Sequence, residues 1–199
     1  MRSGLPRAKC LVRFILLAVF STGSSHGTSI GLFSSSDCSS CGLLVPENSG
    51  ATLYVRASST GLGDDEFLTT AEFRIEGMPS GWLWFAAPNP EAIIVGNPFS
   101  SAGTTVTFIR NAQRGECIDL FSGTIFATTA VRNGELRVVA PDPPPNPGIP
   151  CPRIFTICSN RACDNVYCAS GGSMLLNSDS KCPVGVQQHT WTHVRGLYR

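Results

Sequence analysis

"AEFRIEG", residues 71–77, places Ala71, Phe73 and Ile75 on one side of an extended chain and Glu72, Arg74 and Glu76 on the other. Successive side chains of a strand point to opposite faces, so this alternation predicts a strand with one face in a core and the other in water. The same reading extends in both directions. Before it, "ATLYVRA" (51–57) sets Leu53 and Val55 against Tyr54 and Arg56, and "IGLFSS" (30–35) supplies a first strand. After it come "GWLWFAA" (81–87), "AIIVG" (92–96), "TTVTFIR" (104–110), "CIDLFSGTIFATT" (117–129) and "ELRVVA" (135–140). Between these runs stand the turn clusters "GMPSG", "APNPE" and "GNPFSSAG". Asn133-Gly134 predicts a tight hairpin between "FATTAVR" and "ELRVVA", because a primed two-residue turn needs positive φ at both central positions. No apolar repeat of 3.6 residues runs through 28–186. The expectation is an all-β fold, an antiparallel β-sandwich.

The start of the chain bears on where such a sandwich resides. Arg2, Arg7, Lys9 and Arg13 precede the apolar run "FILLAVF" (14–20), and small residues follow from Ser21 to Ser29. This is the order of a secretory signal peptide, and the run is shorter than the ~20 residues of a membrane-crossing helix. The expected division is a signal peptide over 1–27, a sandwich over 28–140, a proline-rich linker over 141–150, a cysteine-rich tail packed on the sandwich over 151–186, and a short amphipathic segment over 187–199. Proline in "PDPPPNPGIPCP" (141–152) removes amide donors and fixes φ, which excludes a central strand there. In the last segment Trp191, Val194 and Tyr198 fall near helical spacing. Four of the fifteen Lys and Arg precede residue 28 and none of the fourteen Asp and Glu, so the processed chain carries −3, with Lys181 its one lysine. Such a charge disfavours nucleic acid, whose binding rests on phosphate neutralisation. No membrane span is expected after signal cleavage, and the expected location is secreted or cell-surface, the periplasm included.

Eight cysteines follow the leader: Cys38, Cys41, Cys117, Cys151, Cys158, Cys163, Cys168 and Cys182. An even number in an exported chain reads as a disulfide framework. The leading pairing is Cys158 with Cys168 and Cys151 with Cys182, with the remaining four left open. Zinc is weighed against this reading and set aside. Cys38-x-x-Cys41 has ribbon spacing and His189-x-x-x-His193 the spacing of one helical face, but no second close cysteine pair completes a ribbon. A thioredoxin-like role for Cys38-x-x-Cys41 needs a strand-to-helix setting, and this pair sits in a Ser/Gly loop.

Catalytic patterns are missing: there is no G-x-S-x-G and no H-E-x-x-H, and one of the three histidines, His26, lies in the leader. Asp64, Asp65 and Glu66 in "GLGDDEF" are an acidic loop able in principle to ligate Ca²⁺, with a solvated turn as the plainer reading. Glu72, Arg74 and Glu76 read as a solvated ladder. No cofactor, metal or catalytic residue is expected. The candidate ligand-binding residues are Trp82 and Trp84, which share a face by period two. With Leu83 and Phe85 in the core, the tryptophans form an outward platform for a sugar or a protein; the plainer reading has them covered by the tail or a loop.

"AEFRIEGMPSGWLWFAAPNP" (71–90) followed by "GTIFATTAV" (123–131) resembles the strand pair of cohesin-like and related immunoglobulin-like β-sandwich modules of exported bacterial proteins. The plan of sandwich, proline-rich link, cysteine tail and a short end such as "TWTHVRGLY" is similar to that of further exported bacterial proteins. The resemblance implies an immunoglobulin-like/cohesin-like sandwich. Cohesins bind dockerin modules; this sequence departs from them in its dense cysteines and added tail, and no functional residue carries over. The expected function is an exported, disulfide-stabilised, non-catalytic binding or structural module, with a protein or a glycan at the cell surface as partner. The alternative is a carbohydrate-binding protein built on Trp82 and Trp84.

Overall fold

The computed structural model describes residues 27–40, 42–87, 89–109, 113–160 and 162–178. Among them lie β1 (Thr28–Phe33), β2 (Gly42–Leu43), β3 (Ser49–Ser59), β4 (Glu66–Glu76), β5 (Leu83–Ala87), β6 (Ala92–Gly96), β7 (Thr104–Phe108), β8 (Ile118–Ala127), β9 (Gly134–Val139), β10 (Arg153–Cys158), β11 (Asp164–Cys168), β12 (Ser170–Gly171) and β13 (Ser173–Leu176), and no helix. One sheet runs β12-β1-β3-β8-β5; the other runs β11-β10-β4-β9-β13-β2, with β7 on the second edge of β4 and β6 beyond it. Pairing is antiparallel except for β1 with β12 and β2 with β13. The fold is an all-β sandwich.

The alternation of 71–77 is what the structure uses. Ala71, Phe73 and Ile75 are buried between the sheets, and Phe73 stacks on Phe121 of β8 with ring centroids 6.0 Å apart, joining the two layers. On the opposite face Arg74 pairs with Glu76 at 2.5 Å and donates from Nε to the Ala140 carbonyl, while Glu72 pairs with Arg153. The strand also begins earlier than its pattern suggests, at Glu66. A register shift between Phe155 and Thr156 leaves Thr69 as an extra residue against β10, and a bulge of this kind breaks period two in "EFLTT".

Two expectations of connectivity change. Asn133 has positive φ (54°), but β8 pairs with β3 and β5 while β9 pairs with β4 and β13, so Asn133-Gly134 turns the chain into the second sheet and closes no hairpin. The proline-rich stretch likewise joins two parts of one line. Val139 stands opposite Arg74 and Arg153 opposite Glu72, both on the β4 edge away from the Ile75 amide, which donates to Pro98. Thus β9 and β10 lie end to end, and residues 140–152 leave that line and return to it. The segment beyond supplies four strands to the two sheets, and its Ile154, Met174 and Leu176 are fully buried in the common core.

Residues 170–176 fasten the two sheets at one side. β12 pairs with β1, β13 pairs with β9 and β2, and between them the Gly172 amide donates to Ile30 while its carbonyl accepts from Val138. The approach is so close that a Cβ on Gly171 would lie 1.9 Å from the Val138 carbonyl oxygen. Only glycine fits a backbone pressed this tightly against another. Asn177 then closes the corner, donating to the carbonyls of Val45 and Val131 and accepting from the Val45 amide at 2.6 Å.

Candidate functional site

The other side of the sandwich ends differently. Among the described residues β5 pairs only with β8 and β6 only with β7, so each leaves one backbone edge unpaired. Leu83 and Phe85 of β5 and Ile93 and Val95 of β6 point to solvent, 47, 57, 54 and 63% exposed. Ile109, just past β7, is also exposed. Native edge strands are commonly blunted by charge or proline; "LWFAA" and "AIIVG" contain neither.

Trp82 and Trp84 do share a face, but it is the inner one. Trp82 is buried just ahead of β5, and its indole N–H donates to the Thr129 carbonyl at 2.9 Å. Trp84 is half-buried, edge-on to Phe99 at 5.3 Å and to Phe121 at 6.1 Å. Its ring lies over Gly123, where a Cβ would come within 2.2 Å of it. A glycine notch in β8 and a buried acceptor for the indole N–H decide the orientation, and they turn Leu83 and Phe85 outward instead. What covers the pair is the sandwich interior and the turn carrying Phe99. The aromatic surface on offer is therefore Phe85, a residue whose place in the pattern had suggested core.

Asp64 and Glu66 of the acidic loop turn to different partners. Asp64 is held by Arg114 at 3.0 Å, whereas Glu66 turns inward and is buried. The Glu66 carboxylate accepts from the Tyr167 hydroxyl at 2.8 Å, the Asn165 amide at 2.5 Å and the Gly63 amide at 3.1 Å. Near Cys38, Asp37 accepts from the hydroxyls of Ser35 and Ser39 and from the Ser39 amide, which lowers its pKa to about 2. Arg137 beside Glu135 likewise holds that carboxyl below its ordinary value.

Among the described residues three disulfides join Cys38 to Cys117, Cys151 to Cys168 and Cys158 to Cys163. The expected pairs Cys158–Cys168 and Cys151–Cys182 are not formed. The β10–β11 register explains why: Arg153 faces Cys168 and Ile157 faces Asp164, so Cys158 falls opposite Cys163 at the turn and Cys151 falls near Cys168 at the far end. Disulfides of this kind persist in oxidising surroundings, which fits a secreted or extracellular setting. Cys41, Cys182, His189, His193, the leader expected over 1–27 up to residue 26, and the expected segment over 187–199 lie outside the described residues. Among the described residues no helix is long and apolar enough to cross a membrane.

Fold and edge together define a disulfide-stapled β-sandwich, closed at one side and open at the other. No family model matches the sequence. No curated protein matches it. Among solved structures it is similar to a cohesin module from a family 33 glycoside hydrolase of Clostridium perfringens, with TM-score 0.49 and 10% identity over 77% of this chain and 99% of that one. It is also similar to a non-cellulosomal cohesin from the archaeon Archaeoglobus fulgidus, with TM-score 0.45 and 13% identity over 75% of this chain and 91% of that one. A third is a cohesin–dockerin complex from Clostridium thermocellum, with TM-score 0.45 and 9% identity over 75% of this chain and 99% of that one.

Proposed function

We propose that this chain is an exported, non-catalytic binding module whose open edge captures an extended segment of a protein partner at the cell surface or outside the cell. The observation that carries the reading is the combination at β5 and β6: a backbone edge on each that is unpaired among the described residues, and large apolar side chains turned outward at alternate positions. Strand addition uses these two features for different ends. The free N–H and C=O groups supply affinity, and side chains at period two supply selectivity. Leu83 and Phe85 on β5, and Ile93 and Val95 on β6, are large apolar side chains held in water beside those edges. The three disulfides support export, since crosslinks are rare where thiols are kept reduced.

The test places a photo-reactive phenylalanine analogue at Phe85 and, separately, at Val95, in the producing cell. Irradiation is expected to link the chain to one protein from both positions, and from neither when Ile93 is replaced by Lys. A chain that forms no protein adduct from either position is not a strand-capturing module. Binding to immobilised glycans that depends on Phe85 would move the reading to carbohydrate, with Phe85 rather than Trp82 and Trp84 as the stacking surface.

A further inference from the structure

Glu66 is the one buried carboxylate among the described residues. In the β4–β10 register it stands opposite Cys158, and one of its oxygens and the sulfurs of Cys158 and Cys163 all lie within 4.8 Å of one another. A carboxylate and two cysteine sulfurs are a zinc ligand set, and a bound ion would keep its fourth position for water. We propose that this corner is a cation site gated by its own crosslink. When Cys158–Cys163 is opened, the two thiolates and Glu66 bind Zn²⁺ or a similarly thiophilic divalent ion.

The surroundings suit this use. Tyr167 and Asn165 already donate to Glu66 and fix its orientation, the part that outer hydrogen bonds play around metal ligands. Thr156 shares the face, two residues along β10 from Cys158 and opposite Asn165; its hydroxyl is buried without a hydrogen-bond partner and is available to a metal-bound water. Two Zn–S bonds of about 2.3 Å at a tetrahedral angle set the sulfurs about 3.8 Å apart. Rotation of side chains whose Cα atoms are 5.5 Å apart reaches that spacing while the β10–β11 pairing stays in place.

The chemistry balances with a dithiol as reductant. Two electrons and two protons from the dithiol cleave the S–S bond to two thiols, and the dithiol leaves as its own disulfide. The ion then displaces both thiol protons. One corner of the fold thus holds either a covalent bond or an ion, depending on the surrounding thiol poise. This holds whether or not β5 and β6 receive a partner.

The experiment reduces the full chain with dithiothreitol under argon, removes the reductant, adds Zn²⁺ or a chelator, and maps alkylation by iodoacetamide cysteine by cysteine. Zinc is expected to protect Cys158 and Cys163, while Cys38, Cys117, Cys151 and Cys168 react as fast as they do with chelator. Tyr167→Phe is expected to weaken zinc about tenfold and Glu66→Gln by at least as much. Equal alkylation of Cys158 and Cys163 with and without zinc overturns the proposal. So does protection spread over all cysteines, undiminished affinity in Glu66→Gln, or loss of the β-sheet circular dichroism on reduction.

Discussion

At one side of the sandwich, residues 170–176 hydrogen-bond to both sheets, Gly171 has no room for a methyl group, and Asn177 satisfies three backbone groups of two other segments. At the other, β5 and β6 each have an edge unpaired among the described residues and turn Leu83, Phe85, Ile93 and Val95 to water. The same chain therefore spends its close contacts on one side and leaves the other adaptable. Stability and recognition are separable when they sit on different edges: the first depends on backbone that cannot move, the second on side chains whose loss leaves the core intact. This contrast can be broken by experiment.

The crosslinks should give the largest effects, graded by the length of chain that each closes. Cys38–Cys117 spans 79 residues, Cys151–Cys168 spans 17 and Cys158–Cys163 spans 5. Restriction of the unfolded chain then predicts losses of about 4.5, 3 and 2 kcal/mol when each pair is replaced by alanine. Chemical denaturation of the three double variants checks the order. If Cys158–Cys163 proves the costliest, the β10–β11 hairpin relies on its staple more than on its pairing with β4.

Next comes the closed side itself. Gly171→Ala puts a Cβ onto the Val138 carbonyl oxygen, a backbone atom that cannot swing aside. Overpacking against such a neighbour costs about 3 kcal/mol. Thermal unfolding should show the drop. An alanine variant as stable as the parent means that the two sheets are not fastened there.

How far the sequence discloses this contrast depends on whether a feature is local. The inner face of 71–77 is legible, because period two needs no knowledge of neighbours. That Trp82 and Trp84 share a face is legible for the same reason, but which face is inner is not. That choice rests on Gly123, on another strand, and on the Thr129 carbonyl. The pairs Cys158–Cys163 and Cys151–Cys168 follow once "RIFTIC" and "DNVYC" are taken as a hairpin, yet a cysteine-dense segment after a proline run reads by composition as a tail. The proline run misleads because pairing on β4 resumes after it, and that pairing is between residues far apart in sequence. Glu66 is hidden twice, by the bulge at Thr69 that breaks the alternation and by acidic neighbours that suggest a solvated turn.

The smallest expected effect is the most discriminating one. Phe85 and Trp84 are adjacent, both aromatic and on one short strand, so they share backbone, distance to the edge and β propensity. They differ in side: Trp84 packs on Phe99 and Phe121, while Phe85 is 57% exposed beside Thr124 of β8. Trp84→Ala should therefore cost about 3 kcal/mol, as removal of a core aromatic does. Phe85→Ala should stay within about 0.5 kcal/mol, as substitutions away from core, cap or strain generally do. Paired denaturation curves read both at once. A loss of 2 kcal/mol or more at Phe85 would show that its ring is holding the fold together, and β5 would then cease to be a free edge with side chains to spare for a partner. A near-neutral Phe85 beside a costly Trp84 shows that one face of β5 holds the fold and the other does not.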